Sequence, residues 1–150
     1  MPEIATKYFG LIEYQPDATV RFPAGLPGFE EESEFLVLEP PESAPMVFLQ
    51  SLKRASLCFL ALPIQVIAPD YALATTSEDF DALGFPPGGR PAAGGDITCL
   101  AIIVVTENGR ISANLLAPIL INPARRLGLQ AIRADSVYSH QHPVGAAVCS

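Results

Sequence analysis

The chain of 150 residues has no tryptophan, two histidines, three cysteines, and only nine lysines and arginines against sixteen acids. Each shortage closes off a class of function. The cysteines, Cys58, Cys99 and Cys149, are odd in number and lack C-x-x-C spacing, which favours buried structural thiols over a redox pair. Two of them sit in apolar runs, where a thiol acts as a small hydrophobe, and Cys149, near the end, is expected to be exposed. A net charge of −7 without a basic block repels phosphate backbones, so direct nucleic-acid binding is not expected and basic proteins are the natural partners. The longest apolar runs, Cys99 to Val105 and Leu115 to Ile121, fall far short of the roughly 20 residues that span a bilayer. Met1 to Lys7 has no basic region leading into an apolar core, so no secretory leader and no membrane association are expected, and the cytoplasm is the expected location.

What is present is 49% hydrophobic residues, fifteen prolines and eleven glycines. A chain of this length makes one domain that buries about 70% of its unfolded surface. Its dominant period is two, punctuated by proline and glycine, which predicts an all-β, mainly antiparallel, small barrel-like single domain over residues 1–143, with a disordered tail at 144–150. Strands are expected at Thr6–Tyr14, with Gly10 as a bulge or bend, and at Val20–Phe22, Phe35–Leu38, Pro45–Leu52, Leu57–Leu62, Ile97–Val105 and Leu127–Arg133. Lys53-Arg54-Ala55-Ser56 makes a hairpin of the fourth and fifth of these, and Ile97–Val105, apolar on both faces, belongs at the centre of a closed or two-layered sheet. The loop from Pro23 to Phe29 keeps Phe22, Leu26 and Phe29 as anchors that fold it onto the body. One short helix is expected near 77–84, with Ser77 as N-cap, acids in its first turn and Gly84 as its stop. Residues 85–96 read as a flexible connector.

Asn114-Leu115-Leu116-Ala117-Pro118-Ile119-Leu120-Ile121-Asn122 is the most unusual segment, because proline cannot donate to a sheet ladder. Pro118 there predicts a bulge or an edge whose backbone groups stay free to receive a partner. No catalytic constellation accompanies it. The glycines at 25, 28, 88, 89, 94 and 95 are not followed by the lysine and hydroxyl of a phosphate loop, and no G-x-S-x-G elbow is present. His140 and His142 fall on one side of an extended segment but lack companions, so no metal and no cofactor are expected. Glu30-Glu31-Glu32-Ser33-Glu34 reads as a solvated acidic turn. The expectation is a binding protein rather than an enzyme, with a barrel carrying a small apolar ligand as the alternative.

Six segments carry a family likeness in order and spacing: Thr6 to Gly10, Phe22 to Glu30, Leu49 to Leu52, Pro69-Asp70-Tyr71, Ala113 to Ile119 with Asn122, and Tyr138-Ser139 before His142-Pro143. Over nearly its whole length the chain resembles the FliW flagellar assembly factor family. The resemblance implies a small barrel-like cytoplasmic protein that binds flagellin and also the RNA-binding translational repressor CsrA. In the scheme the resemblance implies, flagellin holds the protein until export lowers the flagellin pool, and the freed protein is then expected to capture CsrA allosterically and relieve repression of flagellin translation. Where relatives typically carry acids and a proline after the serine-leucine pair, this chain has Lys53-Arg54-Ala55-Ser56. Asn114, Leu115, Leu116, Ala117 and Pro118 are the expected partner-binding residues, with Gln50 and Ser51 adjacent and Glu31 and Glu32 steering a basic partner. On this reading Asn114→Ala weakens partner binding and leaves the thermal midpoint nearly unchanged.

Overall fold

The structure is a computed structural model that describes residues 2–26, 28–73, 75–86, 96–132 and 137–144. Eleven strands are present among these residues: β1 (Glu3–Thr6), β2 (Gly10–Glu13), β3 (Thr19–Arg21), β4 (Glu34–Leu38), β5 (Val47–Ser51), β6 (Cys58–Pro63), β7 (Thr98–Val105), β8 (Ile111–Ala113), β9 (Ile119–Asn122), β10 (Leu127–Gln130) and β11 (His142–Pro143). Seven of them close a ring in the order β7-β6-β5-β4-β3-β10-β9 and back to β7. Closure leaves none of these seven strands with an open sheet edge that could template aggregation. Every pairing in the ring is antiparallel except β3 with β10, where Arg21 faces Leu127.

Strand β7 explains why one run of the sequence is apolar throughout. Cys99, Ala101 and Ile103 pack in a cluster with Leu62, Leu83 and Leu115, while Leu100 packs with Phe22, Phe35 and Leu49 in the second cluster. The second cluster fills the barrel, with Phe22 and Phe35 edge to face at 5.5 Å. Gly128 on β10 makes room for it, because a Cβ there would lie 2.7 Å from the Phe22 ring. Side chains thus occupy the interior that a carried apolar ligand would need.

The expected first strand, Thr6 to Tyr14, is instead the hairpin β1–β2, with Thr6 opposite Gly10. Gly10 holds φ +67°, and the Thr6 hydroxyl donates to the Gly10 carbonyl while accepting from Phe9 N–H. A three-residue turn therefore stands where period alone read a continuous strand. The hairpin rests on the barrel through Phe9, edge to face with Phe48.

Helix α1 (Ile64–Ile67) is a single turn that the sequence reading did not expect, and α2 (Ser77–Ala82) is the expected helix. Its N-cap is Thr76 rather than Ser77: the Thr76 hydroxyl accepts from Asp79 N–H, the geometry that a cap needs. Gly84, at φ +83°, follows its end as expected. The last expected strand stops at Gln130 rather than Arg133. Most of the connector (87–95), Cys149 and residues 145–150 of the expected tail lie outside the described residues, whereas Val144 N–H donates to Ile111. No described helix is long and apolar enough to cross a membrane.

Burial raises the thiol pKa of Cys58 and Cys99 from 9.0 to about 11. The fold favours the neutral thiols, so this contribution to stability is complete below about pH 9 and disappears as pH rises through the folded values. A raised pKa also slows thiolate chemistry. In a Cys149→Ser variant, alkylation by iodoacetamide at pH 8 should be about a hundredfold slower in the native than in the denatured protein. Mass spectrometry of quenched time points would show native rates matching denatured ones if the two thiols were free in solution.

Candidate functional site

The expected site residues fall into two groups, built on different elements. The first is an arch between β8 and β9. Both strands pair with the same edge of β7, β8 through Ile103–Val105 and β9 through Thr98–Leu100. From Leu100 to Ile103 is three steps along β7, but the facing residues Ile119 and Ala113 are six apart, so three extra residues are looped out. Pro118 ends this bulge and the regular strand resumes at Ile119.

The expectation that the backbone of the arch stays free is corrected here. Leu116 and Ala117 N–H donate to the Asn114 side-chain oxygen at 3.1 and 3.0 Å. Leu115 N–H donates to the Ser139 carbonyl, and the Pro118 carbonyl accepts from Ala131 N–H. The Leu115 carbonyl accepts from the Tyr71 hydroxyl at 2.6 Å, and that of Ala117 from the Gln130 amide at 3.0 Å. Buried backbone groups left unpaired would each cost about 1–3 kcal/mol, so the chain satisfies them internally. Leu115, Ala117 and Pro118 are buried, while Asn114 and Leu116 are half-buried and reach the surface.

The aromatic pair behind the arch ties distant segments of the sequence together. The rings of Tyr71 and Tyr138 lie 4.3 Å apart, and the Tyr138 hydroxyl accepts from Ala72 N–H. Three of the six likeness segments therefore meet at one place. Loss of the Asn114 carbonyl oxygen strands two N–H groups, so Asn114→Ala should lower the unfolding free energy by about 1–2 kcal/mol, as loss of a helix cap does. Urea denaturation would detect this; an unchanged midpoint would leave Asn114 a surface group alone.

The second group sits at the end of the barrel closed by the loop from Phe22 to Ser33. Glu32, read from sequence as part of a solvated acidic turn, is 2% exposed. Its carboxylate accepts from the Ser51 hydroxyl at 2.9 Å and pairs with the Arg54 guanidinium at 3.2 Å. Arg54 is the counter-ion of that carboxylate. Sequence reasoning missed this role because the partners are twenty-two positions apart. Gln50 is also fully buried, and its amide N–H groups reach the carbonyls of Ser51, Arg54 and Ala55, closing the turn from β5 to β6. Glu31 is exposed. Among the described residues, no hydrogen bond or ion pair joins this group to the arch.

The Ser51 hydroxyl donates to the Glu32 carboxylate, but both are buried and Glu32 is also paired with Arg54, so the serine does not face solvent, and among the described residues no three His, Cys, Asp or Glu gather to hold a metal ion. His142 lies on β11, facing Ala113 of β8.

The FliW protein family matches residues 3–144. A flagellar assembly factor FliW from Thermoanaerobacter pseudethanolicus is 34% identical, across 95% of this chain and 92% of its own length. The FliW of Bacillus licheniformis is 33% identical, across 97% and 99%. The crystal structure of a flagellar assembly factor FliW superposes with a TM-score of 0.82 at 32% identity, covering 97% of this chain and 99% of that one. Agreement in sequence and in fold over almost the whole length means that this chain belongs to the FliW family.

Proposed function

We propose that this protein is a cytoplasmic, non-enzymatic flagellar assembly factor that binds flagellin and, when flagellin is exported, captures the translational repressor CsrA and relieves repression of flagellin translation. The observation that carries this reading is the family match over residues 3–144. The net charge of −7 supports it, since an acidic surface speeds encounter with a basic RNA-binding protein and repels RNA. Within the two groups, Asn114, Leu116 and Glu31 reach solvent, and we assign partner contact to these three. Leu115, Ala117, Pro118, Gln50, Ser51 and Glu32 act by holding them in place.

Calorimetric titration of the purified protein with CsrA from the same organism, repeated after saturation with flagellin, tests the proposal. Saturable binding that flagellin abolishes is the expected result. A folded sample that gives no heat with either protein would overturn it.

A further inference from the structure

We propose that the open mouth of the barrel is a seat for a lysine side chain of a protein partner, its stem on an apolar floor and its ammonium between Asp17 and Glu39. This site is separate from the arch and the Glu32 group, and nothing in the flagellin and CsrA reading requires it. The two ends of the barrel differ. One is closed by the Phe22–Ser33 loop, whose Phe22 and Leu26 are buried in the interior cluster. The other, where β4 ends and β5, β7 and β10 begin, holds a cleft of about 290 Å³.

Val20, Val37, Val47, Leu100 and Ile121 form its floor, a surface suited to an aliphatic stem and not to a charged head. Asp17, Glu39 and Arg126 stand around it. The guanidinium is already engaged, because Arg126 donates to the Pro16 carbonyl at 2.8 Å. Neither carboxylate has a hydrogen-bond or ion-pair partner among the described residues, so the rim carries two unpaired carboxylates and one guanidinium, a net charge of about −1. A wholly apolar occupant would gain nothing from those carboxylates, whereas a cation would. Lysine supplies both requirements, a four-carbon stem and a compact charge with three donors, and a cleft of this size holds one such side chain.

Nuclear magnetic resonance titration of the whole protein with N-acetyl-lysine-methylamide tests this directly. Saturable shifts are expected at the amides of Val20, Val47, Leu100 and Ile121. The capped norleucine analogue, which has the stem but no charge, should produce none. Asp17→Asn combined with Glu39→Gln, both at exposed positions, should weaken the lysine probe about tenfold. Equal shifts with norleucine would reduce the mouth to a greasy surface, and no saturable shift with lysine would remove the site; either overturns the proposal. If n-pentylammonium binds while capped lysine does not, the mouth takes a free amine and the protein-partner assignment fails. The titration contains neither flagellin nor CsrA, so its outcome is independent of theirs.

Discussion

Reversing the charge at Glu32 should cost about 4 kcal/mol of stability or more, while the same change one residue earlier should cost almost nothing. The Glu32 carboxylate is buried, accepts from Ser51 and faces Arg54, so Glu32→Lys places a cation beside a guanidinium and takes away the acceptor of the Ser51 O–H, whose oxygen still accepts from Lys53 and Arg54 N–H. Removing one partner of a buried ion pair is far more damaging than replacing both, because the surviving charge keeps its desolvation cost. Arg54 is half exposed and can turn to water, which lessens the loss for Glu32→Ala to about 2–3 kcal/mol but gives little relief to a buried lysine. For a domain of this size the reversal corresponds to a fall of about 10 °C in the thermal midpoint. Glu31→Lys, on the exposed neighbour, should leave the midpoint unchanged and slow association with CsrA at low salt. Calorimetric melting of both variants decides the matter: equal midpoints would mean that Glu32 is solvated after all, and an unchanged association rate would take Glu31 out of the encounter.

Gly25→Ala should be comparably severe, for a steric reason. Gly25 holds φ +67°, and a Cβ at this position would lie 2.5 Å from both Cα and carbonyl oxygen of Glu30. Those are backbone atoms in a loop pinned on both sides. Phe22 N–H donates to Ser33, Glu32 N–H donates to Phe29, and Leu26 bridges Phe29. The clash cannot be relieved by rotating a side chain, so the loop must move and draw Leu26 out of the barrel. We expect a loss of about 3–5 kcal/mol, the sum of overpacking and backbone strain. Gly28→Ala supplies the control, since Gly28 has φ +86° but open space around its Cβ position. It should cost about 1–2 kcal/mol from the left-handed conformation alone. Guanidinium unfolding of the two variants would refute the packing argument if they came out equal.

Both predictions concern the closed end of the barrel, which explains how a loop rich in proline and glycine takes part in the fold. Phe22, Leu26 and Phe29 stand among residues of fixed or freed backbone, and the loop folds down as those anchors predict. It brings Glu32 with it to the β5–β6 turn. The Phe22–Glu30 and Leu49–Leu52 segments of the family likeness thus meet in space, as do the three behind the arch.

Period-two patterning was enough to read the class of fold, the strands β3 to β7 within a few residues, the β5–β6 hairpin and the two-faced burial of β7, because each of these is written in residues close together in the chain. Motif order pointed to the family. Local reading failed where the deciding group was distant or where a turn hid inside an apolar run. Gly10 looked like a break in one strand and is the first residue of a second. Thr76, not Ser77, caps α2, a one-residue choice set by which hydroxyl meets Asp79 N–H. Pro118 announced a bulge, but only the tertiary structure supplied the partners, Tyr71, Gln130, Ala131 and Ser139, that satisfy the arch. Glu32 has the same composition and charge as its acidic neighbours, yet chain closure buries it against Ser51 and Arg54. Patterning of neighbours determines which segments become strands; which polar group ends up inside depends on contacts that no window of sequence contains.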